Sequence, residues 1–491
     1  MASYGTTEAP APANKQPLLE KYSSGKIIRS TPPAGDAAST AASAAGDGSE
    51  EVKDQSVEDE RKAAEQREAA KRKAAAAAAS ASAPLPTSGV GNFGILVIVT
   101  QLAVFICYAL AGKSDFVFDD LTQEFDTTQL YNYVVGVNLM MLVGFGYLRA
   151  FLKMYGLGAV GFTMFMYCLG VECSILFEPL MGVPGWGSYV NLDLLAFLKA
   201  DYAVAAILVS FGALIGKVNP TQITILTVLE SFFYCFNKQI ILVRWIPFVD
   251  VGNTIVVHMF GAYFGLAVSA VLGKKTDMSK EASSTTSDVL ALIGTLFMWV
   301  YWPSFNGGSI ESGTAESELA ITNTMTALIG SAIMTFALSA MFNGGVISVV
   351  DVQSATLAGG VAIGAVCNLK IGPAVALATG LGAGFFSCIG TTYVQSALEK
   401  AGLHDTCGVH NLHGLPSVVG GLVSVFIPLA ISDSDRGNPG YQLAGMGMTL
   451  VVSIFSGLCT GALLKVFKDD APMAVDSAYF ESADEKDVEA A

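Results

Sequence analysis

The sequence predicts an all-α integral membrane protein with about twelve transmembrane helices, and three observations carry that prediction. The chain is 52% hydrophobic and only 14% charged, where soluble domains carry about 25% charged residues. From residue 92 onward, apolar runs follow one another at roughly twenty residues each, the length that crosses the hydrocarbon of a bilayer. Short polar or Gly/Pro-containing turns divide them. Such a chain is not a water-soluble enzyme. Its net charge of −15 lies largely in the tails and in acidic connections (Asp119, Asp120, Glu124 and Asp126; Glu311, Glu316 and Glu318), so no nucleic-acid partner is expected.

Residues 1–88 are rich in Ala, Ser, Pro and Gly and lack the apolar content for a core, which predicts a disordered, low-complexity cytoplasmic tail. Within it, SVEDERKAAEQREAAKRKAAAAAA has the composition of a lone solvated helix, without an apolar seam for a coiled coil. Residues 89–468 form the transmembrane domain, and 469–491 a short acidic cytoplasmic tail. The expected spans are 92–112, 132–152, 158–178, 195–216, 221–243, 250–273, 287–305, 320–342, 351–369, 373–392, 405–430 and 441–466. An even number puts both termini on one side. With that side cytoplasmic, its connections and helix ends carry Arg149, Lys153, Lys217, Lys274, Lys275, Lys280, Lys400, Lys465 and Lys468. The opposite side carries Lys113, Lys199, Lys238, Arg244, Lys370 and Arg436, and the excess favours this orientation. Segments such as ATLAGGVAIGAV and GPAVALATGLGAGFFSCIG are dense in small residues, which let helix backbones approach closely.

The histidines are the informative polar residues. The chain has four: His404, His410 and His413 crowd into ten residues, and His258 lies within an apolar run. An ionisable side chain at membrane depth is costly and marks a functional site by default. Asp250 opens one histidine segment eight residues before His258; Asp405 opens the other, five before His410 and eight before His413. An aspartate there can be a simple helix cap, yet two such openings suggest related halves that meet around a midplane site. His404, beside Glu399 and Lys400, reads as a solvated loop residue. The eight cysteines show no pairing pattern and read as small buried hydrophobes. No metal site is expected, because His410 and His413 lack a third and fourth ligand at usable spacing.

YWPSFNGG at 301–308, NTIVVHMFGAYFGLAV at 253–268, ATLAGGVAIG at 355–364, DTCGVHNLHGLPSVVGGL at 405–422, LVGFGYLRAFLKMYGLGAVGF at 142–162 and ADYAVAAILVSFGALIGK at 200–217 together resemble the Rh glycoproteins, a branch of the ammonium transporter (Amt/Mep/Rh) superfamily. The resemblance runs in order from about residue 92 to 466 and omits both tails. It implies an ammonium-transporter-like bundle of two inverted five-helix repeats plus extra helices, assembled as a homotrimer with a pore through each subunit. It also implies two pore histidines, carried onto His258 and His410, with His413 as the second candidate. Two stacked phenylalanines close the outer pore in the family; they fall at Phe305 and at Tyr202, a departure because the family usually has phenylalanine there. Asp250 matches the aspartate before the first pore histidine, and Asp405, Trp302, Asn306 and Ser309 are supporting residues. DVGN at 250–253 departs from the Gly-Gly of relatives.

The function so implied is an ammonium/ammonia channel or transporter in the plasma membrane, not an enzyme, without cofactor. Ammonium would be deprotonated and ammonia conducted past the two histidines, with methylammonium a further substrate and the lipid bilayer the surroundings. The competing readings are a channel for carbon dioxide or another small neutral gas, and a non-conducting ammonium sensor or scaffold. On the expectation that the Tyr202 hydroxyl is free, it would face the outer vestibule and receive incoming ammonium.

Overall fold

Turn chemistry starts the helices. Asn219 and Gln222 form a reciprocal capping box that spans Pro220, Ser284 and Ser287 form another, and the side chains of Asp193, Thr314 and Asn438 accept first-turn N–H groups. The structure is a computed structural model and describes residues 87–111, 127–152, 154–182, 190, 192–273, 283–311, 313–431, 437–467 and 476–480. Residues 1–86 of the tail expected at 1–88, and most of that expected at 469–491, lie outside the described residues, while 87 and 88 already belong to the first helix.

Among the described residues, 12 helices are long and apolar enough to cross a membrane. They are α1 (Asn92–Leu110), α2 (Thr128–Phe151), α3 (Gly156–Met181), α4 (Leu194–Leu214), α5 (Pro220–Trp245), α6 (Thr254–Leu272), α7 (Thr285–Gly307), α8 (Ala315–Phe342), α9 (Val349–Val366), α10 (Pro373–Lys400), α11 (His410–Ala430) and α12 (Pro439–Val466). Each expected span has its helix, and the differences are at ends. Helix α10 continues through a wide π-turn at Gly390–Val394 into a last stretch at Gln395–Lys400, where the polar TTYVQSALEK hides the helix from a hydropathy reading. Helices α6 and α11 begin after Asp250 and Asp405, whose side chains cap them from outside.

Burial sorts the helices. In α9 and α6, 83% and 78% of the apolar window is buried, against 6% in α1, so α6 and α9 are central while α1 turns Ile98, Phe105 and Leu110 outward. Small residues bring the central backbones into contact. A Cβ on Gly359 of α9 or Gly380 of α10 would lie 2.2 or 2.0 Å from the Ala327 carbonyl of α8. One on Gly252, just before α6, would meet Cα of Gly364 at 2.6 Å. Gly252 also donates its N–H to the Gly364 carbonyl at 2.9 Å. Next in the chain, Asn253 has φ of 62°, a left-handed conformation that asparagine tolerates better than most residues. This is how DVGN makes the turn into α6.

Arg149 and Lys217 stand at helix ends, as expected, yet both are buried, at 3% and 5% exposed. Lys217 Nζ donates to Ser269 Oγ at 2.6 Å. His404 is not solvated either, being 6% exposed. The 401–409 connection folds into the bundle, with Cys407 N–H donating to the Gly212 carbonyl at 3.1 Å, Thr406 Oγ1 to that of Ile215 at 3.0 Å, and Ser269 Oγ to that of His404.

Candidate functional site

Two buried carboxylates set the histidine helices. Asp250 accepts the N–H groups of Thr254, Ile255 and Val256 at 2.8, 2.7 and 2.8 Å. Asp405 accepts those of Val409 and His410, each at 2.9 Å. In both cases the oxygens go to the orphan donors of a helix start four and five residues on. Asp250 thereby spends both oxygens on backbone, which fits a structural role better than a ligand's. Each helix then opens with a π-turn, at Thr254–Met259 and His410–Gly414, a geometry frequent at functional sites.

These turns bring His258 and His413 together. Their Nδ1 atoms are 3.2 Å apart, with ring centroids at 5.2 Å and planes 11° from parallel. One ring must donate and the other accept, so the contact fixes complementary tautomers. The geometry thus pairs His258 with His413 and not with the expected His410. His410 sits edge-on to Tyr263, centroids 5.9 Å apart, on another side of the helix. Three residues separate side chains by about 60° on an α-helix, and the wider π-turn changes that further, so only His413 faces His258.

The pair lies within a column of rings. On one side His258 contacts Trp302 and Phe305, both at 5.5 Å between centroids, and Phe305 meets Tyr202 at 4.9 Å, nearly perpendicular. On the other, His413 stacks on Phe145 at 6.0 Å, and the Arg149 guanidinium lies 5.0 Å from the Phe145 ring centre. Tyr202, Trp302, Phe305, His258 and His413 are buried. Two polar atoms in the column have no protein partner, Nε2 of His258 and Nε1 of Trp302. Asn306 fastens the wall, donating to Thr324 Oγ1 at 3.0 Å and to the Gly360 carbonyl at 3.1 Å. A Cβ on Gly360 would strike the Trp302 indole at 2.6 Å.

Tyr202 differs from expectation, because its hydroxyl is partnered. It donates to the Phe305 carbonyl at 3.1 Å and accepts from Ser309 Oγ at 3.2 Å, which gives Ser309 its place. With the Asn138 amide turned to satisfy its neighbours, its nitrogen donates to the two oxygens of buried Asp201 at 2.8 and 3.2 Å. Tyr202→Phe removes net bonds worth about 0.5–1.5 kcal/mol each and leaves the ring contact intact. The expected result is a folded protein with transport affinity weakened by less than about tenfold, measured by substrate titration. Loss of transport in a normally folded variant would make the hydroxyl itself essential.

Phe145 and Arg149 escaped the sequence reading. Both lie in LVGFGYLRAF, where a phenylalanine looks like any bundle aromatic and an arginine at a helix end looks like a snorkelling cation.

Fold and site together define a polytopic membrane bundle with a buried imidazole pair in a ring-lined column. The model of the Ammonium Transporter Family matches residues 97–473, and the chain belongs to that family, in its Rh branch. Ammonium transporter Rh type A of Bos taurus is 36% identical over 74% of this chain and 86% of its own length. Among solved structures, Rh50 of Nitrosomonas europaea is 34% identical with a TM-score of 0.65, covering 74% of this chain and 95% of that one. Mep2 of Candida albicans, 18% identical with a TM-score of 0.61 over 74% of this chain and 88% of its own, shares the fold.

Proposed function

We propose that the chain conducts ammonium/ammonia across the plasma membrane, as a homotrimer with both termini cytoplasmic and one path per subunit along the ring column. The observation that carries this reading is the His258–His413 contact at 3.2 Å, flanked by aromatic rings on either side. An amine with a lysine-like pKa of ~10.4 gives up its proton at pH 7 for about 4–5 kcal/mol. Carrying an intact cation across an apolar centre costs ~2.5–17 kcal/mol, so stripping the proton is competitive. Ammonia then passes imidazoles that each offer one donor and one acceptor. Sodium and potassium, with no proton to give up, face the whole desolvation cost. Two unpartnered polar atoms on the column favour a hydrogen-bonding cargo over carbon dioxide.

Liposomes containing the purified protein are expected to equilibrate ammonium and methylammonium faster than empty vesicles, with no added sodium or potassium flux. Recording internal pH and current together tells ammonia passage from net charge movement. Equal rates with and without verified inserted protein would leave the sensor or scaffold reading instead.

A further inference from the structure

A fully buried acid in α5 takes no part in capping a helix or in the ring column. Glu230 sits ten residues into that helix, about 15 Å from its end at 1.5 Å per residue, close to the middle of a hydrocarbon layer about 30 Å thick. Both Glu230 and Ser210 of α4 are 0% exposed. Oε1 of Glu230 is within hydrogen-bond reach of Ser210 Oγ, and Oε2 has no partner among the described residues. The nearest cation on α5, Lys238, is eight residues further on and bonded to Glu178 at 2.9 Å. Ser210 Oγ also lies 2.7 Å from the Gly261 carbonyl oxygen of α6.

The number of protons decides the state of this acid. A serine hydroxyl has one proton, while a backbone carbonyl oxygen and an ionised carboxylate only accept. With Glu230 ionised, the single hydroxyl proton serves one contact and leaves bare oxygens facing each other in the other. With Glu230 protonated, Oε1 donates to Ser210 Oγ, Ser210 donates to the Gly261 carbonyl, and both contacts carry a proton. Ionisation would also place an uncompensated charge at membrane depth, where a carboxyl neutralises instead.

We propose that Glu230 is a resident carboxylic acid and a positioning residue, whose relay through Ser210 to Gly261 fixes the helix of His258 against the helix of the outer gate. These two helices already meet backbone to backbone. A Cβ on Gly261 would lie 2.5 Å from the Ala206 carbonyl, and one on Gly265 would lie 2.6 Å from Cα of Ser210, small residues at four-residue spacing on both sides. Such packing sets how close the helices come. A directional pair of hydrogen bonds also sets their register along one another. Gly261 follows His258 by three residues and Ser210 follows Tyr202 by eight, so a slip in register alters the gap between gate and imidazole pair. The positioning role rests on the conduction reading above; the protonated relay does not.

Infrared difference spectra of the full-length protein in nanodiscs at neutral pH read the proton directly. Wild type minus Glu230→Gln is expected to show the carbonyl stretch of a carboxylic acid and no carboxylate bands. In Ser210→Ala that stretch is expected at higher frequency, because the acid has lost its acceptor. Carboxylate bands in the first difference, or an unshifted stretch in the second, would overturn the relay. Positioning is read as the ratio of methylammonium to ammonium flux in proteoliposomes at matched density of folded protein. The Gln amide supplies a donor in place of the acid, so Glu230→Gln is expected to keep the wild-type ratio. Ser210→Ala is expected to shift it by about two- to tenfold, the range of one net hydrogen bond. Glu230→Asp, an acid one methylene too short for Ser210, is expected to do the same and serves if the alanine variant fails to fold. An unchanged ratio in a folded variant of either kind would make the relay a fold element alone, and the positioning role falls. A protein that shows the acid band but conducts neither substrate overturns the conduction reading and leaves the relay standing.

Discussion

His413→Ala cuts ammonium flux by about ten- to a hundredfold or opens the path to other cations, while His410→Ala retains most of it. The size follows from the contact. Removing the His413 ring leaves Nδ1 of His258 buried without its 3.2 Å partner, a penalty of about 1–3 kcal/mol, and 1.4 kcal/mol is tenfold in rate. His258→Ala is expected to match it, and the double variant to be little worse than either single one, since both break the same contact. His410, set against Tyr263, loses packing only. Initial rates of methylammonium uptake in proteoliposomes at matched protein density decide this. Greater damage from His410→Ala than from His413→Ala would overturn the assignment.

Asp250→Ala is expected to abolish assembly of the folded protein rather than merely slow transport. Three buried N–H groups lose their acceptor at once, at about 1–3 kcal/mol each, against a typical net stability of about 5–15 kcal/mol for a domain. Asp250→Asn keeps one acceptor oxygen and should fold in part. The readout is the yield of monodisperse protein by fluorescence-detected size exclusion. Wild-type yield from the alanine variant, with transport lost, would instead make Asp250 a direct participant in conduction.

The twelve spans were legible because hydropathy and length are local properties, and their order matched a known family. The partner of His258 is also encoded locally. The spacing from Asp250 to His258 is eight residues, and from Asp405 to His413 it is again eight, whereas His410 lies five away. Both carboxylates bind the N–H groups four and five residues on, so equal spacing projects equivalent rings to the same place. Family resemblance in the GVH string points to the first histidine, and the spacing points to the second. Tyr202 is legible as a gate residue, but the partner of its hydroxyl is not: the acceptor is a carbonyl of α7, 103 residues along the chain, and no local pattern announces such a partner. Arg149 shows the same limit, since hydropathy cannot tell a helix-end cation that reaches out from one that folds inward.

The contact of Gly252 with Gly364 bears on what can move. A transporter that exposes its site alternately to two sides rocks one bundle against another, which requires a seam where packed surfaces slide or part. Here the chain leading into α6 and the end of α9 meet backbone to backbone and share a hydrogen bond, leaving no compliant layer of side chains between them. Motion along the path is then expected to lie in single aromatic rings rather than in this seam. Passage should be paced by such swings, which are faster than the microsecond-to-millisecond rearrangements of whole domains, and flux should climb with ammonium gradient well beyond the point at which a rocking carrier saturates.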